Sequence, residues 1–365
     1  MTNSLHDTFR ILDAAANRTR EGLRVIEDFS RFILNDAHLS RLLKECRHEL
    51  AQVIDGLPQS GLLAARDTLG DVGTSISTPT ESQRTSSTHV VQASFKRVQE
   101  ALRTLEEYSK IIDPVQSARF EQLRYRLYTA EKSVIRTDTS QTRLGGQHLY
   151  LLIQADQCKT GFEAVVIAAL DAGVRIFQMR EKLLSDRELL AQARRLREMT
   201  AASDALLIIN DRPDIAVLSR ADGVHVGQDE FTVSDARHIV GPDCLVGVST
   251  HSIEQARQAV LDGADYLGVG PTFPTTTKSF TDFPGLAFVH QVASEIALPW
   301  FAIGGIGKEN ISDVVRAGAT RVAVSSAICQ QTSPAEIARD LITCLNRNLE
   351  TSNTHLSPDI KTVRS

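Results

Sequence analysis

The 365-residue chain predicts an α/β protein, a (β/α)8 TIM barrel preceded by a small all-α helical domain with an internal duplication. Beyond residue 147, eight short β-like runs alternate with helical patterns, as a parallel sheet closed by crossover helices requires. Before residue 136 the apolar residues fall three and four apart, and this helical pattern occurs twice. Polar residues also gather directly after several apolar runs, at the strand ends where such barrels build their sites.

Residues 1–135 are expected to form the helical domain. Leu23, Ile26, Phe29 and Ile33 make one apolar stripe, and Leu102, Leu105, Tyr108 and Ile112 repeat it 79 residues later. Polar residues repeat with it: Arg18, Glu21, Arg24, Glu27, Asp28 and Ser30 align with Arg97, Glu100, Arg103, Glu106, Glu107 and Ser109. A weaker echo pairs Arg47-His48-Glu49-Leu50 with Arg124-Tyr125-Arg126-Leu127. Asp113, Pro114 and Gln116 supply a cap, a first-turn proline and a third-position glutamine for a fourth helix. Duplicated helical hairpins with pseudo-twofold symmetry follow, joined by the Ser/Thr-rich stretch from Gly70 to His89. The repeated charged face reads either as ion pairs along a solvated helix or as a symmetric polar groove for a ligand or partner.

Residues 136–147 are polar, end in Gly145-Gly146 and read as a linker. Strands are expected at Leu149–Ile153, Val174–Gln178, Leu206–Ile209, Gly223–Val226, Leu245–Val248, Tyr266–Val269, Trp300–Ile303 and Arg321–Val324, within a barrel spanning 148–347. Gly173, Gly263 and Gly318 end the helices before strands two, six and eight. Residues 348–365 read as a polar, frayed tail.

A net charge of −5 gives no reason to expect nucleic acid or an anionic membrane as partner, so any phosphate affinity must be local. Five cysteines, scattered and never in a C-x-x-C pair, argue against a disulfide framework or a zinc site and for a reducing cytoplasm. The first residues lack the basic start and apolar stretch of a signal peptide, and no run of about 18 apolar residues occurs, so neither export nor a membrane span is expected. Oligomeric state stays open, with a homo-oligomer compatible.

Candidate site residues follow the apolar runs. Gln178, Arg180 and Lys182 alternate, with Met179 and Glu181 between them, and share a direction if the chain stays extended. A planar guanidinium beside a compact ammonium suits a diphosphate; a solvated charged loop is the plainer reading. Asn210-Asp211 and the acidic pair Asp229-Glu230 make an oxygen-rich set suited to Mg²⁺, although Asp211 with Pro213 equally suits a helix start. His225, inside an apolar strand, reads as a barrel-core histidine, and Ser249 as a hydrogen-bonding residue, since no base and acid for a nucleophile are identifiable. Thr275, Thr276, Thr277 and Lys278 lie in a long loop between prolines and could wrap a phosphate or form a surface loop. Gly304-Gly305 after strand seven and Ser325-Ser326 after strand eight occupy the usual barrel phosphate position.

In this order, Gln-Met-Arg-Glu-Lys, Ile-Ile-Asn-Asp, Gly-Val-His-Val-Gly-Gln, Gly-Val-Ser-Thr-His, Gly-Pro-Thr-Phe-Pro-Thr-Thr-Thr-Lys and Ala-Ile-Gly-Gly-Ile resemble the thiamine phosphate synthase family, over residues 146–347. The resemblance implies a transferase that joins a hydroxymethylpyrimidine diphosphate to a thiazole phosphate and releases diphosphate. By the family pattern Gln178, Arg180, Lys182, Asn210 and Lys278 hold the pyrimidine diphosphate, with Met179 and Glu181 in the same motif. Ser249 contacts the pyrimidine, and Thr275, Thr277, Gly305, Ser325 and Ser326 hold the thiazole phosphate. Arg180, Lys182, Lys278 and Ser249 are the residues implied for catalysis. Mg²⁺ falls to Asp211 and a second acid, which aligns with Glu230 because the family's Gln-Glu-Asp is here Gln228-Asp229-Glu230. The helical domain resembles one that accompanies such barrels in some bacteria, and a pyrimidine-handling role is one hypothesis for it. The rival readings are a thiazole tautomerase-like isomerase and a non-catalytic phosphate-binding barrel.

Overall fold

The computed structural model describes residues 3–67, 83–274 and 284–354. The chain divides into two compact units, Met1–Thr139 and Ser140–Ser365.

The first unit holds α1 (Asn3–Phe32), α2 (Ala37–Asp55), α3 (Gln59–Ala65), α4 (Ser87–Ser109) and most of α5 (Pro114–Leu144). Side-chain caps set three of the starts: Asp36 accepts the Leu39 N–H at 2.7 Å, Ser86 the His89 N–H at 3.1 Å, and Asp113 the Val115 N–H at 2.9 Å. The helices α1 and α4 cross closely at Gly22, where a Cβ would lie 2.4 Å from Val98 Cγ2. Leu23, Ile26, Phe29, Leu102 and Leu105 are buried as expected. Ile33 and Tyr108 are not, being 48% and 38% exposed, and Ile33 falls just past the end of α1.

The repeated charges are not simply a solvated face. Glu27 and Glu106 are each 3% exposed. Arg47 donates to Glu27 at 2.9 Å, and Arg124 to Glu106 at 2.9 Å, so the two sequence echoes meet as one ion pair on a buried glutamate in each half, with Arg124 buried and Arg47 half-buried. The outer residues Arg24, Asp28, Arg103 and Glu107 pair along the helix surface.

Much of the stretch 136–147 is helical. Its residues carry α5 on to Leu144, because nothing before Gly145-Gly146 interrupts the helix. Leu144 itself is fully buried in the core of the second unit.

That unit is a closed barrel of eight parallel strands in chain order. They are β1 (Leu149–Ile153), β2 (Ile176–Met179), β3 (Leu206–Asn210), β4 (Gly223–Val226), β5 (Leu245–Thr250), β6 (Tyr266–Val269), β7 (Trp300–Ile303) and β8 (Val322–Val324). Around them run α6 (Phe162–Asp171), α7 (Asp186–Ala201), α8 (Pro213–Ser219), α9 (Val233–Val240), α10 (Ile253–Asp262), α11 (Gly285–Glu295), α12 (Ile311–Arg316), α13 (Ser326–Cys329) and α14 (Pro334–Thr354). β2 begins later than expected because the Val174 N–H still bonds to Ala169 at the end of α6. The expected tail is helical as far as Thr354.

Side chains alternate along each strand, so every second residue enters the barrel. Tyr150, Ile176, Ile208, Leu245, Tyr266, Phe301 and Ala323 fill the interior, with Leu144 packed among them. This floor directs the polar residues that follow on the same strand faces toward the C-terminal rim.

Candidate active site

A cavity of about 310 Å³ opens at the C-terminal ends of the strands. Gln178, Arg180 and Lys182 all line it. The Arg180 N–H bonds to Ile153 O at 3.0 Å, which keeps the chain extended past the end of β2 and the three side chains on one face. Asn210, Asp211, Glu230, Ser249, Gly305, Ser325 and Ser326 line the same cavity. Met179 and Glu181 are not among the lining residues. Met179 is buried, while Glu181 accepts the Ala155 N–H at 2.6 Å and the Gln192 amide at 3.1 Å, bracing the segment between Arg180 and Lys182. Thr275, Thr277 and Lys278 lie outside the described residues.

The Gly304-Gly305 pair has a steric cause. Thr272 N–H bonds to Ile303 O at 2.8 Å and Phe273 N–H to Gly304 O at 3.0 Å, so the chain leaving β6 lies directly against the end of β7. Gly304 has φ +102° and Gly305 φ +63°. A Cβ on Gly304 would lie 2.8 Å from Pro271 Cα, and one on Gly305 2.7 Å from Pro274 O. Both the backbone angle and the close approach exclude other residues.

Asp211 also has a left-handed backbone, φ +61°, and its N–H bonds to His225 O at 2.8 Å. Its carboxylate accepts from Asn210 Nδ2 at 2.6 Å. Burial pushes the Asp211 carboxyl above the ordinary aspartate range and the nearby Glu230 charge pushes the same way, against Asn210, Lys182 and Arg180. Glu230 folds back over Gly227, where a Cβ would lie 2.1 Å from Glu230 Oε2. Asp229 is not among the lining residues, so of the two acids Glu230 is the one at the cavity. Two facing carboxylates that repel each other are a donor set that a divalent cation fits. Among the described residues no cluster of three or more ligating side chains exists.

The lining residues that the sequence did not single out as site residues include Tyr150, Tyr266 and His225. Gln178 Nε2 donates to Tyr150 OH at 2.8 Å, the two phenols meet at 3.0 Å, Tyr266 OH meets His225 Nδ1 at 3.1 Å, and His225 Nε2 meets Ser249 Oγ at 3.0 Å. His225 is thus a satisfied core histidine, and it also stands behind Ser249. Gly247 makes room for this chain, since a Cβ there would lie 2.1 Å from Tyr266 Cζ. The available sequence signal was parity: polar-tipped aromatics on the inward positions of β1, β4 and β6, beside a glycine on β5.

Two family profiles match in series. Residues 149–328 match the family described as thiamine monophosphate synthase, and residues 10–133 match the ThiD2 family. The thiamine-phosphate synthase of Rhodopirellula baltica is 45% identical over 338 residues, covering 90% of this chain and 90% of its own. The chain belongs to the thiamine-phosphate synthase family. It is accordingly an enzyme, a transferase of thiamine biosynthesis. The family's Synechocystis member is 42% identical, over 93% of this chain and 96% of its own. Among solved structures, the thiamine phosphate pyrophosphorylase of Pyrococcus furiosus superposes with a TM-score of 0.51 at 32% identity, covering 55% of this chain and 96% of its own. The family's barrel therefore accounts for the second unit. Among the described residues, no helix is long and apolar enough to cross a membrane.

Proposed function

We propose that the cavity condenses 4-amino-2-methyl-5-(hydroxymethyl)pyrimidine diphosphate with 4-methyl-5-(2-phosphoethyl)thiazole, giving thiamine phosphate and diphosphate. One observation carries the assignment of roles: Arg180, Lys182, Asp211 and Glu230 line one cavity together with Gly305, Ser325 and Ser326. The cations and carboxylates would form the diphosphate end, and the glycine and serines the thiazole phosphate end. Gln178, Asn210 and Ser249 are left to hold the pyrimidine ring. Lys278, with Thr275 and Thr277, is assigned to the phosphates on the sequence resemblance alone.

The bond between the pyrimidine methylene carbon and the diphosphate oxygen breaks, and the thiazole nitrogen lone pair forms the new C–N bond. The aminopyrimidine delocalises the cation that develops, while Arg180 and Lys182 stabilise the negative charge gathering on the leaving group. The pocket would hold the two rings in line, so that the thiazole nitrogen rather than water meets the cation. No proton has to be removed from the attacking nitrogen, so no general base is required. Asp211 and Glu230 would hold Mg²⁺, which when bound supplies further positive charge to the diphosphate. The diphosphate grip formed by Arg180, Lys182 and the two carboxylates favours this reading over an isomerase of the thiazole phosphate alone. The cytoplasm is the proposed compartment, consistent with five free thiols, and small molecules are the proposed partners.

Purified protein given both substrates and Mg²⁺ should release thiamine phosphate and diphosphate in equal amounts. Chelation should stop the reaction and added Mg²⁺ restore it. Full turnover after exhaustive chelation would remove the metal assignment, and no product under any condition would remove the reaction.

A further inference from the structure

We propose that Tyr150, Tyr266 and His225 form a proton-ordered relay that makes Gln178 a hydrogen-bond acceptor and Ser249 a donor toward the cavity, so that the site selects a 4-aminopyrimidine over its 4-oxo counterpart. The inference rests on the pyrimidine reading given above and adds to it three positioning residues and the basis of selectivity.

The order follows from counting protons. Gln178 is 2% exposed, and the nitrogen end of its amide is committed to Tyr150 OH. An amide nitrogen only donates. Tyr150 therefore accepts from Gln178, and its own proton goes to its other partner, Tyr266 OH. Tyr266 in turn gives its proton to His225 Nδ1. Both phenols keep their protons, since burial drives their acidity far below that of an exposed tyrosine. A neutral imidazole with an acceptor at Nδ1 carries its proton at Nε2. His225 Nε2 then donates to Ser249 Oγ. The serine proton has only the cavity left to serve.

A doubly protonated His225 would put a second proton between Nδ1 and Tyr266 and leave a phenol proton in the relay without an acceptor, at the full desolvation penalty. The relay thus fixes both ends at once. Gln178 has its carbonyl oxygen left for a ligand, and Ser249, half-buried at the cavity wall, has its O–H. A 4-aminopyrimidine donates from its exocyclic amine and accepts at its ring nitrogens. The 4-oxo ring reverses this, accepting at the carbonyl and donating from the neighbouring ring N–H. It would meet like with like in a buried site, which is where hydrogen-bond mismatch is most costly.

The test has two arms. In the first, ¹⁵N NMR of the wild-type protein labelled at histidine reads the His225 tautomer, assigned by its loss in His225→Gln. A neutral ring protonated at Nε2 is expected, whereas protonation at Nδ1 or at both nitrogens would overturn the relay. In the second, kcat/KM is measured for the 4-amino and 4-oxo pyrimidine diphosphates in wild type, Tyr266→Phe and Tyr150→Phe. Dividing each variant's preference by that of the wild type cancels the intrinsic difference in reactivity. We expect preference for the amino compound to shrink by roughly tenfold or more in Tyr266→Phe, as the pyrimidine KM rises and the thiazole KM stays unchanged. An unchanged preference in both folded variants would refute the selectivity role. If wild type turns over neither pyrimidine, the reaction assignment fails, and the tautomer still decides the relay.

Discussion

At the scale of single residues, Asp211 shows the tension between stability and function. Its carboxyl is raised above the ordinary range, chiefly by burial and then by Glu230, so the folded protein holds that proton more tightly than the unfolded chain does. For an acid shifted in this direction, folding carries a penalty. It is absent below the ordinary aspartate range, grows as pH rises toward the raised value, and is fully present above it. An uncharged amide removes it. Asparagine also tolerates the left-handed backbone at this position, where φ is +61°. Asp211→Asn should therefore melt no lower than wild type at neutral pH in metal-free buffer, while thiamine phosphate formation falls on the order of 100-fold or more. A lower melting temperature would show that the carboxylate is structural, and near-normal turnover would show that it holds no metal.

At the scale of elements, the end of β7 is where local chemistry and site geometry are most tightly joined. Gly304→Ala introduces a Cβ at φ +102° that would press against Pro271 from the chain leaving β6. It should cost more than about 1 kcal/mol, read as a lowered denaturation midpoint, and raise the KM for the thiazole phosphate more than that for the pyrimidine. Equal effects on both substrates would argue against the proposed phosphate end. The motif was visible in the sequence because positive φ angles at a turn after an apolar run call for glycine locally, although the close approach of the chain leaving β6 was not visible. The alternation of Gln178, Arg180 and Lys182 was visible for the same reason. What stayed hidden was set by register across the barrel. Tyr150 and Tyr266 lie 116 residues apart in sequence and meet only because eight strands close on themselves. The pairing of Glu27 with Arg47 and of Glu106 with Arg124 was half visible. The repeat revealed which residues correspond, but burial, which separates a core ion pair from a solvated charge, is a property of helix packing.

At the scale of the whole molecule, the question is where the catalytic unit begins. Sequence polarity suggested a linker over 136–147, but polar residues on a long helix look the same as polar residues in a loop until a breaker appears. The helix α5 runs on to Leu144, and the compact barrel unit begins inside it at Ser140. Leu144 is fully buried among Tyr150, Ile176, Leu245 and Tyr266, beneath the floor of the cavity. Meanwhile the Pyrococcus furiosus structure matches 96% of its own length to only 55% of this chain, so a barrel of this family exists without a matching helical unit. A fragment of residues 140–365 should thus fold and keep most of the condensation activity. One that starts at Gln147 loses the leucine plug. It should be destabilised by about the 2–5 kcal/mol that truncating a buried leucine costs, and Leu144→Ala in the full chain should reproduce that loss. Because Tyr150 and Tyr266 stand on this plug, the same variant should also weaken discrimination between the amino and oxo pyrimidines. Denaturation midpoints for the two fragments and the point variant, set beside their kcat/KM, decide the matter: equal stability of both fragments would show that the last turn of α5 belongs to the helical unit alone.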